Sequence, residues 1–101
     1  MSAFIIAKVD IHDRTKYATY ESGFMQIFAQ YSGRLLAVDE NPQLLEGQWP
    51  YTRTVVIEFP SNEEAMAWYG SDEYQALAKH RTAASTASIV LINGLAPPLE
   101  R

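Results

Sequence analysis

Residues 46–81 constrain the fold of this 101-residue chain more than any other part of it. Within this segment, RTVVIEF at 53–59 alternates between two sets of side chains, as a strand does, and Pro60 follows at once. Ser61 and Glu64 then stand at the spacing of a capping box, the pattern that begins many helices. Because proline cannot continue a strand, the chain must pass here directly from a strand into a helix.

The N-terminal part of the chain contains another strand and another helix. Residues 3–12, AFIIAKVDIH, are rich in β-branched residues and place apolar side chains on both faces, which predicts a strand covered on both sides. From Asp13 to Gly33 the period changes, and aromatic and aliphatic residues recur every three or four positions. We predict a helix here, with Asp13 as its N-cap and Gly33 as its stop.

The remaining segments complete the order of elements. Residues 34–38, RLLAV, predict a second strand, and 43–48 could pair as a short edge strand. The helix that follows the capping box should stop at Gly70, and Ser71 should start a second helical piece. IVLI at 89–92 predicts the last strand.

The order β-α-β-β-α-β predicts an α+β ferredoxin-like fold, a four-stranded antiparallel sheet with its helices on one face. We expect one domain over residues 1–101, with 96–101 as a loose tail because it contains two prolines. The first and last strands carry apolar residues on both faces, so the face without helices also needs a cover. A second copy of the sheet is the simplest cover, and we therefore predict a homodimer.

Composition excludes several classes of function. A formal charge of -4 leaves no basic field for a nucleic acid, and the lack of cysteine excludes thiolate chemistry and cysteine zinc sites. His12 and His80 do not form a metal-binding pair, so no metal site is predicted. The N-terminal apolar run is too short to cross a membrane, and we expect a cytoplasmic protein.

Two arginines are candidates for binding a ligand. Arg53 begins the central strand and Arg81 ends the last helix, so the two could converge at one mouth of a cleft between sheet and helices. A pair of guanidinium groups there could hold a carboxylate in a bidentate manner. Alternatively, each arginine pairs with Glu58, Glu46 or Glu73 and stabilises the fold.

An aromatic set is the second candidate feature. These side chains have polar ends and could line a pocket for a flat ligand, or they could pack the core and a dimer interface. The set consists of Tyr17, Tyr20, Trp49, Trp68, Tyr69 and Tyr74.

Glu58 is the best candidate for acid-base catalysis. It lies among valine, isoleucine and phenylalanine residues, and burial there would raise the pKa of its carboxyl group into the range of a general base. An ion pair with an arginine, or exposure at a sheet edge, is the alternative.

Several ordered motifs over residues 3–95 together resemble a known family. They include Ser32-Gly33-Arg34, Glu46-Gly47-x-Trp49, Val56-Ile57-Glu58-Phe59-Pro60-Ser61, Ala67-Trp68-Tyr69 and Ser71-x-Glu73-Tyr74. The chain is similar to small bacterial proteins of domain-of-unknown-function family thirteen-thirty, within the dimeric α/β-barrel superfamily. The resemblance implies a dimer that associates sheet to sheet and a cleft for small, often aromatic molecules. A basic residue that is usual in the family is replaced here by Val38, which weakens any anion-binding role inherited from the family.

The superfamily includes monooxygenases, isomerases and dehydratases, so the fold selects no reaction. We predict that a small organic acid or aromatic metabolite binds in the cleft. The protein could be an enzyme, and a pocket lined by arginines without metal ligands would suit chemistry that needs no cofactor. The alternative is a non-catalytic dimeric interaction or accessory module, and haem degradation is a third, weaker hypothesis.

Overall fold

The computed structural model describes residues 2–95, so the predicted tail at 96–101 lies outside the described residues. Its elements are β1 (Ala3–Ile11), α1 (Arg14–Phe28), β2 (Arg34–Asp39), β3 (Arg53–Phe59), α2 (Asn62–Tyr69), α3 (Asp72–Ala84) and β4 (Ser85–Asn93). The strands form one sheet in the order β2-β3-β1-β4, and neighbouring strands are antiparallel. The predicted α+β ferredoxin-like fold is therefore confirmed.

The two faces of the sheet have different surroundings. On β1, Ala3, Ile5, Ala7, Val9 and Ile11 are buried against the helices, and the residues between them are only partly covered. We call the first side the helix face and the second side the open face. Because side chains alternate along a strand, this division assigns the paired residues of the neighbouring strands to one face or the other, apart from the irregularity between Leu35 and Ala37 in β2.

Two predicted element boundaries and one predicted short strand were wrong. Helix α1 ends at Phe28 rather than near Gly33, because Gln30 and Tyr31 bond to carbonyls only three residues back in a tight final turn. Strand β4 begins at Ser85, since pairing with β1 extends it through small polar residues that lack a strand pattern. Residues 43–48 form no strand.

Each helix begins at a side-chain cap. Asp13 accepts a hydrogen bond from the backbone N–H of Lys16 at 3.0 Å, and Ser71 accepts one from Tyr74 at 3.1 Å. Ser61 caps α2, but Glu64 does not complete the predicted capping box. Its carboxylate instead accepts a hydrogen bond from the Ser32 hydroxyl, which ties α2 to the turn before β2.

Trp68 is the centre of the core between the helices and the sheet. Its ring lies 5.6 Å from that of Phe59 in a stacked arrangement and 5.5 Å from that of Phe28 in an edge-on arrangement. Tyr74 approaches from α3, with ring centroids 4.3 Å apart. The aromatic residues of all three helices thus converge on the helix face.

The open face carries apolar side chains that nothing in residues 2–95 covers. Val90 and Ile92 of β4 are 53% and 47% exposed. They lie directly opposite Ile6 and Phe4 of the neighbouring strand β1. Val56 extends the patch onto β3. None of the helices within residues 2–95 is long and apolar enough to span a bilayer.

Candidate functional site

A cleft of about 250 Å³ opens between the helix face of the sheet and the helices. This volume is close to the lower end of the range for metabolite pockets, roughly 300 to 1,000 Å³. Most of its lining is apolar or aromatic, and Glu21, Arg53 and Arg81 are the charged residues among the described lining residues. Of the residues predicted to bind a ligand, the cleft brings together Tyr17, Tyr20, Arg53, Trp68, Tyr74 and Arg81.

Arg81 is a buried cation in the wall of this cleft. It lies in the last turn of α3 and is only 7% exposed, and its Nε has no hydrogen-bond partner among residues 2–95. No carboxylate in this part of the chain forms an ion pair with it. Burial alone would lower the pKa of Arg81, but the neighbouring Tyr74 and Tyr20 more than offset this effect and raise its pKa overall. The guanidinium group therefore stays charged.

Tyr20 and Tyr74 are neighbours of Arg81, and Trp68 lies on the other side of its contact with Tyr74. The Arg81 Cζ lies 5.9 Å from the centre of the Tyr20 ring, and the Tyr20 and Tyr74 hydroxyls share a hydrogen bond of 2.7 Å. Trp68 contacts Tyr74, and its buried Nε1 also has no partner within the described chain. We call Tyr20, Trp68, Tyr74 and Arg81 the donor cluster, because it offers several N–H and O–H groups and no carboxylate.

The two tyrosines of the donor cluster share one hydrogen bond. Burial strongly raises the pKa of Tyr20, and the nearby Tyr74 hydroxyl raises this pKa further. Tyr20 is therefore a neutral phenol. Since only one of the two hydroxyls can donate to the other, one O–H proton remains available to a third group.

Arg53 stands at the mouth of the cleft in a network with carboxylates. Its Nη1 lies 2.8 Å from Glu21 Oε2, and its Nε donates to Glu40. Glu40 also pairs with Arg14 at 3.3 Å. The Arg53 guanidinium lies over the Tyr17 ring, with Cζ 5.1 Å from the ring centre. Arg53 thus matches the ion-pair alternative, although its partners are not the glutamates that the sequence suggested.

Trp49 and Glu58, both predicted as site residues, do not line the cleft. Trp49 Nε1 donates to Thr54 at 2.9 Å and its ring centre lies 4.5 Å from Lys8 Nζ, so it lies over these two polar residues of the open face and not in the cleft. Glu58 is also on the open face, where Arg34 approaches it to 2.6 Å. Arg34 lowers the pKa of Glu58, and the expected rise of this pKa was wrong.

Glu21 is the charged lining residue that was not predicted from the sequence. It is one helical turn after Tyr17 in α1, so the same spacing that selected Tyr17, Tyr20 and Phe24 would have placed its carboxylate near the stripe. The predicted stripe contained only aromatic and aliphatic residues, so this acidic neighbour was left out. Among residues 2–95, no group of three or more histidine and acidic side chains is arranged to hold a metal ion.

Sequence comparison establishes the family of this chain. Residues 2–95 match the family model described as "Domain of unknown function (DUF1330)". The chain therefore belongs to this family, as its motifs suggested. No curated protein matches it at a significant level.

Solved structures with the same fold come from several bacteria. A protein of unknown function from Rhodopseudomonas palustris matches with a TM-score of 0.77 and 18% identity, covering 95% of this chain and 84% of its own. SnoaB, a cofactor-independent oxygenase from Streptomyces nogalater, matches with a TM-score of 0.64 and 13% identity, covering 98% of both chains. A dimeric ferredoxin-like protein of unknown function from Bacteroides fragilis has a TM-score of 0.62 and 11% identity, covering 92% of this chain and 96% of its own. At these identities the likeness shows the fold alone.

Proposed function

We propose that this protein binds a small, flat organic acid in the cleft, with the acid group against Arg81 and the ring among the aromatic side chains. The apolar lining favours a ring system, and the cleft volume suits a metabolite of one or two rings. Arginine matches the geometry of a carboxylate and can bind it through two parallel hydrogen bonds.

The observation that carries this proposal is the unpaired state of Arg81. Buried charges in proteins are nearly always paired, because an isolated charge loses its hydration without compensation. Arg81 has neither a carboxylate nor a partner for its Nε within residues 2–95, and Trp68 Nε1, which belongs to another lining residue of the cleft, is also unpaired. An anionic ligand would compensate the charge and offer acceptors to these donors.

We also propose that the protein is a homodimer joined through the open face. The uncovered apolar residues of β4, β1 and β3 support this arrangement, since a patch of this kind in water favours association. The relative from Bacteroides fragilis is described as dimeric. A sheet-to-sheet interface leaves the cleft accessible, because the cleft is on the helix face of each subunit.

Catalysis without a cofactor is an extension of the binding proposal. The Streptomyces nogalater relative is a cofactor-independent oxygenase, and the neutral phenol of Tyr20 beside a fixed cation could stabilise an anionic form of a bound substrate. Turnover of a compound that is released from the purified protein would support an enzyme. Binding without turnover would favour the alternative of a non-catalytic module.

Native mass spectrometry of gently purified protein tests the proposal first, by revealing a small organic acid that denaturation releases. Calorimetric titration with 2-naphthoate then compares the wild type with Arg81→Met. Loss of a charge-assisted hydrogen bond should weaken binding at least tenfold, which is about 1.4 kcal/mol. Arg34→Met is the matched control, because Arg34 is an ion-paired arginine that does not line the cleft. Equal binding by Arg81→Met and wild type would refute the assigned site.

A further inference from the structure

We propose that the cleft selects flat organic acids with a single negative charge and rejects those with two. This inference rests on the proposed function and adds the charge of the ligand to it. It follows from the different states of the two arginines that line the cleft.

Arg81 supplies one uncompensated positive charge. It is nine-tenths buried in the cleft wall, and no carboxylate of residues 2–95 pairs with it. The donor cluster also contains the Trp68 N–H and one tyrosine O–H without an acceptor, so its donors are complementary to one acidic group. The cleft therefore has a site for one anion.

Arg53 cannot serve a second anion while its present partners remain. Its Nη1 and Nε are bonded to Glu21 and Glu40, so its charge is already neutralised. Arg14 compensates the second carboxylate of this network. The mouth of the cleft is thus neutral as a whole, with two guanidinium and two carboxylate groups.

A second acid group on the ligand would meet unfavourable surroundings. Glu21 lines the cleft and is ion-paired with Arg53, so a ligand carboxylate there would have to compete with Glu21 for the same cation. The remaining wall is apolar or aromatic, and a carboxylate placed there loses hydration without gaining a cation. Charge selection of this kind works by a penalty on the wrong ligand as well as by attraction of the right one.

Four naphthalene compounds separate charge from size in calorimetric titrations at pH 7.5. The first is 2-naphthoate, with one charge, and the second is its neutral amide. Naphthalene-2,6-dicarboxylate carries two charges, and its monomethyl ester has nearly the same size with one charge. We expect 2-naphthoate and the monoester to bind, and the amide and the dicarboxylate to bind at least tenfold more weakly.

The double variant Glu21→Gln, Glu40→Gln tests the cause of the selection. Both side chains are about half exposed, so the variant should fold, and it frees Arg53 as a second cation. The ratio of dicarboxylate to 2-naphthoate affinity should then rise at least fivefold. The matched control is Glu63→Gln, Glu73→Gln, which alters two glutamates that do not line the cleft.

The outcomes distinguish the two proposals. If wild type binds the dicarboxylate as tightly as the monoester, or if the double variant leaves the affinity ratio unchanged, charge selection is wrong and the binding site stands. The proposed function is wrong if neither 2-naphthoate nor the monoester binds to the wild type. It is also wrong if both compounds bind to Arg81→Met and Arg81→Lys as tightly as to the wild type. In either case charge selection is wrong as well.

Discussion

At the scale of single residues, the donor cluster shows how tertiary contacts change the chemistry of ordinary side chains. Arg81 and Trp68 are buried with unpaired N–H groups, although each residue type normally finds a partner when it is buried. An unpaired buried donor costs about 1 to 3 kcal/mol. Such a cost within a cleft is consistent with a site kept ready for a ligand.

The hydrogen bond between Tyr20 and Tyr74 can be tested by a double-mutant cycle. Tyr20→Phe leaves the Tyr74 hydroxyl without its partner, and we expect it to reduce the free energy of unfolding by about 1 to 3 kcal/mol. Tyr74→Phe should do the same. In the double variant, the loss of unfolding free energy should be at least about 1 kcal/mol smaller than the sum of the losses in the two single variants. The reason is that the double variant has no hydroxyl group left to be buried without a partner.

Urea denaturation measures all three variants, and Tyr31→Phe, outside the donor cluster, is the control. Additive effects of the two substitutions would contradict the hydrogen bond as a stabilising contact.

At the scale of elements, two glycines show where a side chain can be added. A Cβ on Gly33, just before β2, would lie 2.6 Å from Phe59 Cζ and 2.7 Å from Phe28 Cε1. Both rings are buried in the close-packed core, so the backbone can approach them this closely only without a side chain. A Cβ on Gly23, within α1, would meet only the flexible end of Leu77, with Cδ1 at 2.8 Å.

Gly33→Ala and Gly23→Ala should therefore change the free energy of unfolding by different amounts, although each adds the same methyl group. We expect Gly33→Ala to reduce the free energy of unfolding by about 1 to 3 kcal/mol through overpacking. Gly23→Ala gains helix propensity of about 1 kcal/mol, which offsets the shift of Leu77, so its stability should stay within about 1 kcal/mol of wild type. Urea denaturation of the two variants checks this order, and equal stabilities would show that the turn before β2 adapts freely.

At the scale of the whole molecule, the open face predicts association. Val90→Lys places a charge within the apolar patch, where the residue is already about half exposed in the subunit. We expect the subunit to stay folded and the proposed dimer to dissociate at least tenfold more readily. Sedimentation velocity measures the change.

Met66→Lys on α2 is the control for this experiment, because Met66 is also about half exposed but is not on the open face. A wild-type protein that sediments as a monomer, or a Val90→Lys variant that stays dimeric, would refute the interface.

Much of this molecule follows from local sequence patterns. The strand at 53–59, the helix starts at Ser61 and Ser71, and the order of elements were all readable, because capping and side-chain alternation act between near neighbours in sequence. The extension of β4 to Ser85 was not readable, since it depends on pairing with β1. Local sequence patterns do not show an element boundary that is set by pairing with a strand far away in the sequence.

Alternation along β3 determined by itself that Arg53 and Glu58 lie on opposite faces of the sheet. Only the tertiary structure decided which face the helices cover, and hence that Arg53 borders the cleft whereas Glu58 does not. It also decided that Arg53 meets Glu21 and Glu40, while Arg81 meets no carboxylate in residues 2–95. The physical reason is that charge pairing depends on distances between side chains far apart in sequence, which local patterns do not encode.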